Sequence, residues 1–129
     1  MAEKADANRM LRDFFLGFVK VHVLHHANRG PIYGVWFLEE LARHDYHLSP
    51  GTLYPLLHGL EASGYLERED RVVDGKVRKY YKITPDGEVV LNEAREKMRE
   101  LVDELLENDA DHGPLPAMAG EPRVLAAAR

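Results

Sequence analysis

The sequence predicts a mainly α-helical fold carrying one small β-hairpin, and three observations carry that prediction. Apolar residues recur at three- and four-residue steps through four segments. Two runs rich in β-branched and aromatic residues, Tyr65 to Val73 and Lys76 to Ile83, flank a single Asp74-Gly75 pair. Proline and glycine punctuate the chain where those periods change, at Gly30-Pro31, Gly64 and Pro85.

The first helix is predicted from Asn8 to Asn28. Leu11, Phe14, Phe18, Val21 and His25 form its apolar stripe, widened by Phe15, Val19 and Leu24. Arg29-Gly30-Pro31 ends it, because glycine and proline both interrupt the helical ladder. A second helix is expected from Tyr33 to His44, with Val35, Leu38, Leu41 and Ala42 inward, followed by a short turn at Asp45-Tyr46-His47. The third opens on a sharp start signal, Ser49 as N-cap and Pro50 at the first helical position, and sets Leu53, Leu56, Leu57 and Leu60 on one face. It stops at Ser63-Gly64. Two helices joined by a few residues, the second opened by a cap, make a helix-turn-helix pattern.

The Asp74-Gly75 pair predicts a tight hairpin, since both residues tolerate the positive φ of a two-residue turn. A hairpin directly after a helix-turn-helix is a wing, so the fold expected is a winged helix-turn-helix with an N-terminal helix. Thr84 then caps a last helix with Pro85 just inside it. Leu91, Ala94, Met98, Leu101 and Leu105 step by three, four, three and four, a heptad seam that asks for a partner helix. This is the expected C-terminal dimerisation helix. The organisation read from the sequence is a winged-helix domain over 8–83, a dimerisation helix over 84–108, and a loosely ordered, proline-containing tail over 109–129.

A chain of 129 residues accommodates one compact domain and one dimerisation element. With no cysteine, disulfides, thiolate metal sites and cysteine nucleophiles are excluded. The first residues lack the apolar core of a signal peptide, and no run approaches the roughly 20 apolar residues of a membrane span. A cytoplasmic protein without membrane contact is expected. The net charge of -5 hides a split. Arg71, Lys76, Arg78, Lys79 and Lys82 face a single acid, Asp74, across the hairpin, whereas ten acids against three bases follow between Thr84 and His112. Contact with phosphate depends on local charge, so the global sign does not exclude nucleic acid.

In a helix-turn-helix the second helix enters the major groove with its N-terminal turn near the base edges. That turn offers Ser49, Gly51, Thr52, Tyr54 and His58 outside the leucine face. Pro55 has no N–H, which frees the carbonyl of Gly51. Tyr54 and Pro55 have two readings, DNA contact or packing against the first helix. In the wing, Lys76, Arg78, Lys79 and Lys82 form a basic ridge suited to phosphate. Alternation sets Arg78, Tyr80 and Lys82 on one face and Lys79, Tyr81 and Ile83 on the other, so one tyrosine is expected in the core and the other beside the nucleic-acid backbone.

His22, His25 and His26 stand at spacings that can bring two imidazoles to one ion. With no carboxylate or thiol in that stretch, packed and hydrogen-bonded histidines are expected, and no metal or other cofactor. A metal- or haem-responsive regulator using these histidines is the alternative. No phosphate loop, nucleophile elbow or paired-histidine zinc motif is present, so no enzymatic activity is expected.

The runs GPIYG (30–34), SPGTLYPLLHGLEASGYLE (49–67) and RKYYKITPDGE (78–88) resemble the PadR family of transcriptional regulators, over roughly residues 14 to 106. Length and the single C-terminal helix resemble the shorter subgroup of that family. The resemblance implies a homodimeric repressor that binds palindromic operator DNA and is released by a small-molecule effector. It places the dimer on Phe14, Phe18, Leu91, Ala94, Met98, Leu101 and Leu105. Members can hold flat aromatic effectors at the dimer interface, which makes Phe15 and Trp36 candidate pocket residues. The rival reading is a winged helix whose basic wing binds a protein.

Overall fold

A computed structural model describes the backbone of residues 2–107 and the side chains of residues 7–106. The elements run α1 (Ala2–Arg29), β1 (Ile32–Tyr33), α2 (Gly34–Arg43), α3 (Pro50–Ala62), β2 (Leu66–Val73), β3 (Lys76–Ile83) and α4 (Pro85–Val102), which continues as a π-helical turn, Asp103–Glu107. The tail over 109–129 lies outside the described residues. Two compact units divide the chain after Arg95, so the first three turns of α4 belong to the unit holding α1 to β3.

The sheet is antiparallel with order β1-β3-β2. The two-residue strand β1 was not anticipated: Ile32 and Tyr33 pair with Tyr81 and Tyr80. Two residues after Gly30-Pro31 carry no periodicity, and pairing with β3, almost fifty residues later, is what makes them a strand. The hairpin itself follows the sequence residue for residue. Asp74 (φ 52°) and Gly75 (φ 76°) make the two-residue turn, and Val73 sits opposite Lys76. Two successive positive φ values match the right-handed twist of the flanking strands.

The core of the first unit gathers Val19, Val23, Leu24 and Ala27 of α1, Phe37 and Leu41 of α2, all four leucines of the α3 face, Leu66, Tyr81 and Leu91. The α3 stripe is buried as expected. The α2 face is rotated from the expected one: Phe37 is buried, Val35 is exposed and Leu38 is half-buried. The aromatic ring at position 37 needs more cover than Val35, and the sheet and α1 supply it on that side. At the start of α4 the Thr84 hydroxyl accepts the Gly87 N–H at 3.0 Å, the expected N-cap bond, and donates to the Gly64 carbonyl at 2.6 Å. One threonine thereby caps α4 and ties it to the end of α3.

Candidate nucleic-acid interface

The start of α3 is built as a presenting surface. Ser49 occupies the N-cap position, but its hydroxyl lies 3.1 Å from that of Thr52 instead of capping a backbone N–H. Pro50 has no N–H and the Thr52 N–H donates to the Ser49 carbonyl at 3.0 Å, so Gly51 carries the first-turn amide that has no partner among the described residues. Ser49, Gly51, Pro55 and His58 are exposed; Thr52 and Tyr54 are half-buried. Tyr54 packs against Gly34 at the start of α2. A β-carbon at Gly34 would come within 2.7 Å of the Tyr54 ring, so only glycine at the end of GPIYG admits that ring.

On the wing, the alternation of β3 is resolved. Tyr81 is fully buried. Its hydroxyl finds no hydrogen-bond partner among the described residues, and burial pushes its pKa up. Tyr80 faces the other way and meets Tyr33 edge-on, with ring centroids 5.3 Å apart. The Arg71 guanidinium lies 4.5 Å from the Tyr80 ring centroid, and Arg78 lies 4.7 Å from that of Tyr33. Two arginines stacked on two tyrosines form a platform whose planar cations are held by cation–π attraction, leaving N–H groups for an acceptor. Tyr33 and Arg71 were not among the candidates from sequence. Arg71 is opposite Arg78 in the hairpin register, so the turn position alone could have found it.

The expected basic ridge is narrower than the count of lysines and arginines implies. Glu67 of β2 reaches it in register, 3.8 Å from Lys82, and within β2 Glu69 lies 3.2 Å from Arg71. Lys76, Arg78 and Lys79 have no such ion pair among the described residues, and positive charge concentrates on them near the tip of the wing. Arg78, Lys79, Tyr33 and Tyr54 line a cleft of about 550 Å3 between wing and helix-turn-helix; Glu39 also lines it and adds one unfavourable charge for a phosphate.

Residues 23–93 match the transcriptional regulator PadR-like family. The chain belongs to that family. Transcriptional regulator Rv3488 of Mycobacterium tuberculosis is 49% identical over 96 residues, covering 74% of this chain and 90% of that protein. Among solved structures, a PadR family transcriptional regulator from Eggerthella lenta is 34% identical, with a TM-score of 0.67 over 83% of this chain and 97% of the other. A PadR-like transcription factor from Bacteroides fragilis is 28% identical, with a TM-score of 0.67 over 75% and 95%. The winged-helix geometry and the family membership agree that this is a PadR-like transcriptional regulator.

The remaining candidates of this PadR-like chain are distributed unevenly. Phe14 and Phe18 are exposed on α1, with ring centroids 6.0 Å apart. Leu91 is buried in the core of its own chain and offers no surface to a partner, because the seam begins where α4 still covers the first unit. Ala94 and Met98 are half-buried, and Leu101 and Leu105 are exposed. Phe15 and Trp36 do not line a common cavity among the described residues. Phe15 borders a cleft of about 310 Å3 with Tyr46 and Leu48, while Trp36 borders one of about 280 Å3 with His26 and Tyr80.

The histidines of α1 are hydrogen-bonded, as expected. The His22 and His26 Nε2 atoms are 3.0 Å apart, so one donates and the other accepts; Arg95 donates to His25 Nδ1 at 3.1 Å. Burial is the main cause that lowers the pKa of all three, followed by the neighbouring His26 for His22, Arg95 for His25 and His25 for His26. The missing carboxylate, however, is supplied by the fold. Glu40 of α2, buried, places Oε1 3.8 Å from His26 Nε2. No described helix is long and apolar enough to cross a membrane.

Proposed function

We propose that this PadR-like regulator is a cytoplasmic, homodimeric, sequence-specific repressor that reads a palindromic operator with α3 and grips phosphate with the wing, and that a small molecule releases it. The observation that carries this reading is the shared cleft. Arg78 and Lys79 of the wing, which have no ion pair among the described residues, line one cleft with Tyr54 of α3, and a winged helix engages groove and backbone together from such a junction. Stacking on Tyr33 orients the Arg78 guanidinium at that surface.

The dimer reading is supported by two apolar stretches left exposed, one in each unit: Met10 to Phe18 on α1, and Leu101, Val102, Leu105 and Leu106 at the end of the last described helix. Exposed aromatic and aliphatic side chains in such number mark an association surface. Two copies related by a two-fold axis present two α3 helices, and a palindrome is the matching DNA. The effector pocket of this reading lies at the dimer interface, with Phe15 and Trp36 in its lining.

Fluorescence anisotropy on a selected operator and a scrambled duplex, across several salt concentrations, tests the DNA reading. Arg78→Ala is expected to weaken both duplexes and to lower the slope of log affinity against log salt by about one. Thr52→Ala is expected to weaken only the operator, by about 1–3 kcal/mol, with the slope unchanged. If both variants fold and bind both duplexes like the parent, the wing serves a protein partner instead.

A further inference from the structure

The histidine cluster of α1 has a third ligand-bearing neighbour that no sequence spacing announces. His22 and His26 are one helical turn apart and point the same way; Glu40 arrives from α2, the first helix of the helix-turn-helix. One donor atom from each of the three lies within 4.8 Å of the other two. Tetrahedral zinc with bonds of about 2.0–2.1 Å requires its ligand atoms to stand roughly 3.3 Å apart. Two of the separations lie either side of that value, 3.0 Å between the two Nε2 atoms and 3.8 Å from His26 Nε2 to Glu40 Oε1. The third, His22 to Glu40, is longer but within 4.8 Å, so an ion would draw the carboxylate toward His22.

The surroundings favour an ion over a fortuitous cluster. Arg43 donates to Glu40 Oε2 at 2.9 Å, which fixes the carboxylate and leaves Oε1 turned toward the imidazoles. Orientation of a ligand by a second hydrogen bond is the usual support of a metal site. His44, whose Nε2 lies 3.2 Å from the same Oε1, stands at the rim as a third nitrogen and a candidate fourth ligand. The Phe37 ring, 5.6 Å from that of His22, and the Trp36 ring, 5.3 Å from that of His26, wall the cluster with apolar surface.

We propose that His22, His26 and Glu40 bind one divalent late-transition ion per chain, with zinc as the reference ion, and so pin α1 to α2. Two imidazoles and one carboxylate suit borderline ions such as Zn2+, Co2+, Ni2+ and Cu2+, and not the hard, oxygen-seeking Mg2+ or Ca2+. The fourth position is open to water or His44. The three ligands lie on α1 and α2, and His26 borders the cleft that Tyr33 and Tyr80 also line; ion binding is read directly by the test and does not depend on the DNA reading.

The chain's single tryptophan gives a direct readout, because Trp36 touches His26. The full chain, stripped with a chelator, is titrated with Zn2+ by calorimetry, with Co2+ by visible absorption and with Cu2+ by tryptophan fluorescence. Expected results are one equivalent of Zn2+ bound, tetrahedral-type Co2+ bands, quenching of Trp36 by Cu2+, and a melting temperature that rises with Zn2+. His22→Ala and Glu40→Gln should each weaken binding at least tenfold, while His47→Ala, at an exposed histidine, should leave it unchanged. Glu40→Gln preserves size and hydrogen bonding, so it remains informative if an alanine variant fails to fold. No saturable binding by the folded parent overturns the proposal. So does parental affinity in the His22→Ala, His26→Ala double variant, which would put the ion elsewhere.

Discussion

From Val19 to Ala27, α1 buries its apolar residues under β3 and α2; from Met10 to Phe18, the same helix carries a larger apolar load and leaves it in solvent. Val23 is 0% exposed and Phe14 is 56% exposed, although they are both apolar residues of one continuous helix. The difference is not in the helix but in what lies opposite. Opposite the aromatic stretch stand Tyr46 and Leu48 of the segment after α2, which leave most of it exposed. A stripe tells which side of a helix is apolar. It does not tell how far along the helix the cover extends.

That contrast predicts two kinds of damage. Val23→Asp puts a carboxylate where no partner exists, at a cost of several kcal/mol. The expected outcome is loss of the cooperative thermal transition, measured by circular dichroism. Leu24→Ala, one residue on, opens a cavity and should cost about 2–5 kcal/mol in denaturant titrations, with the fold intact. If either variant melts like the parent, the inner half of α1 is not core.

The outer half should respond in the opposite sense. Phe14→Glu with Phe18→Glu changes exposed positions, so the stability of the isolated chain should stay within about 0.5 kcal/mol of the parent. Self-association should fall more than tenfold by analytical ultracentrifugation, because two charges then oppose their symmetry mates in the proposed dimer. A pair of substitutions that leaves the dimer intact would assign the interface to Leu101–Leu106 alone.

The same distinction between local and distant information explains what was legible in the sequence. The hairpin was readable to the residue because Asp74-Gly75 fixes its register locally, and the α3 face was readable because its four leucines are covered along the whole helix. β1 and the burial of Phe37 depend on partners distant in sequence and were not. In the site, the cations of the wing were visible, but their partial neutralisation by Glu67 and Glu69 was overlooked. It follows from the register: once Val73 faces Lys76, pairing inward brings Glu67 to Lys82. Glu40 was the least legible residue, since nothing in α2 marks a carboxylate that will meet histidines fourteen and eighteen positions earlier. Only the α1–α2 packing brings them together.

The smallest expected effect sharpens where the outer surface of α1 ends. Met10 is 67% exposed and lies one turn before Phe14. Glutamine has nearly the length of methionine and a similar helix propensity, so Met10→Gln should leave the helix itself unchanged. Residues at the rim of an interface stay partly wet in the complex and contribute little, while the centre carries most of the energy. If Phe14 and Phe18 are that centre, Met10→Gln should weaken dimerisation by less than tenfold, under about 1.4 kcal/mol. Sedimentation equilibrium on the parent, Met10→Gln and the double phenylalanine variant at matched concentrations makes the comparison. A methionine variant as impaired as the phenylalanine pair would move the centre of contact toward the start of α1. An interface centred there would use the residues before Met10 as well, and truncating them would then abolish the dimer where, on the present reading, it should not.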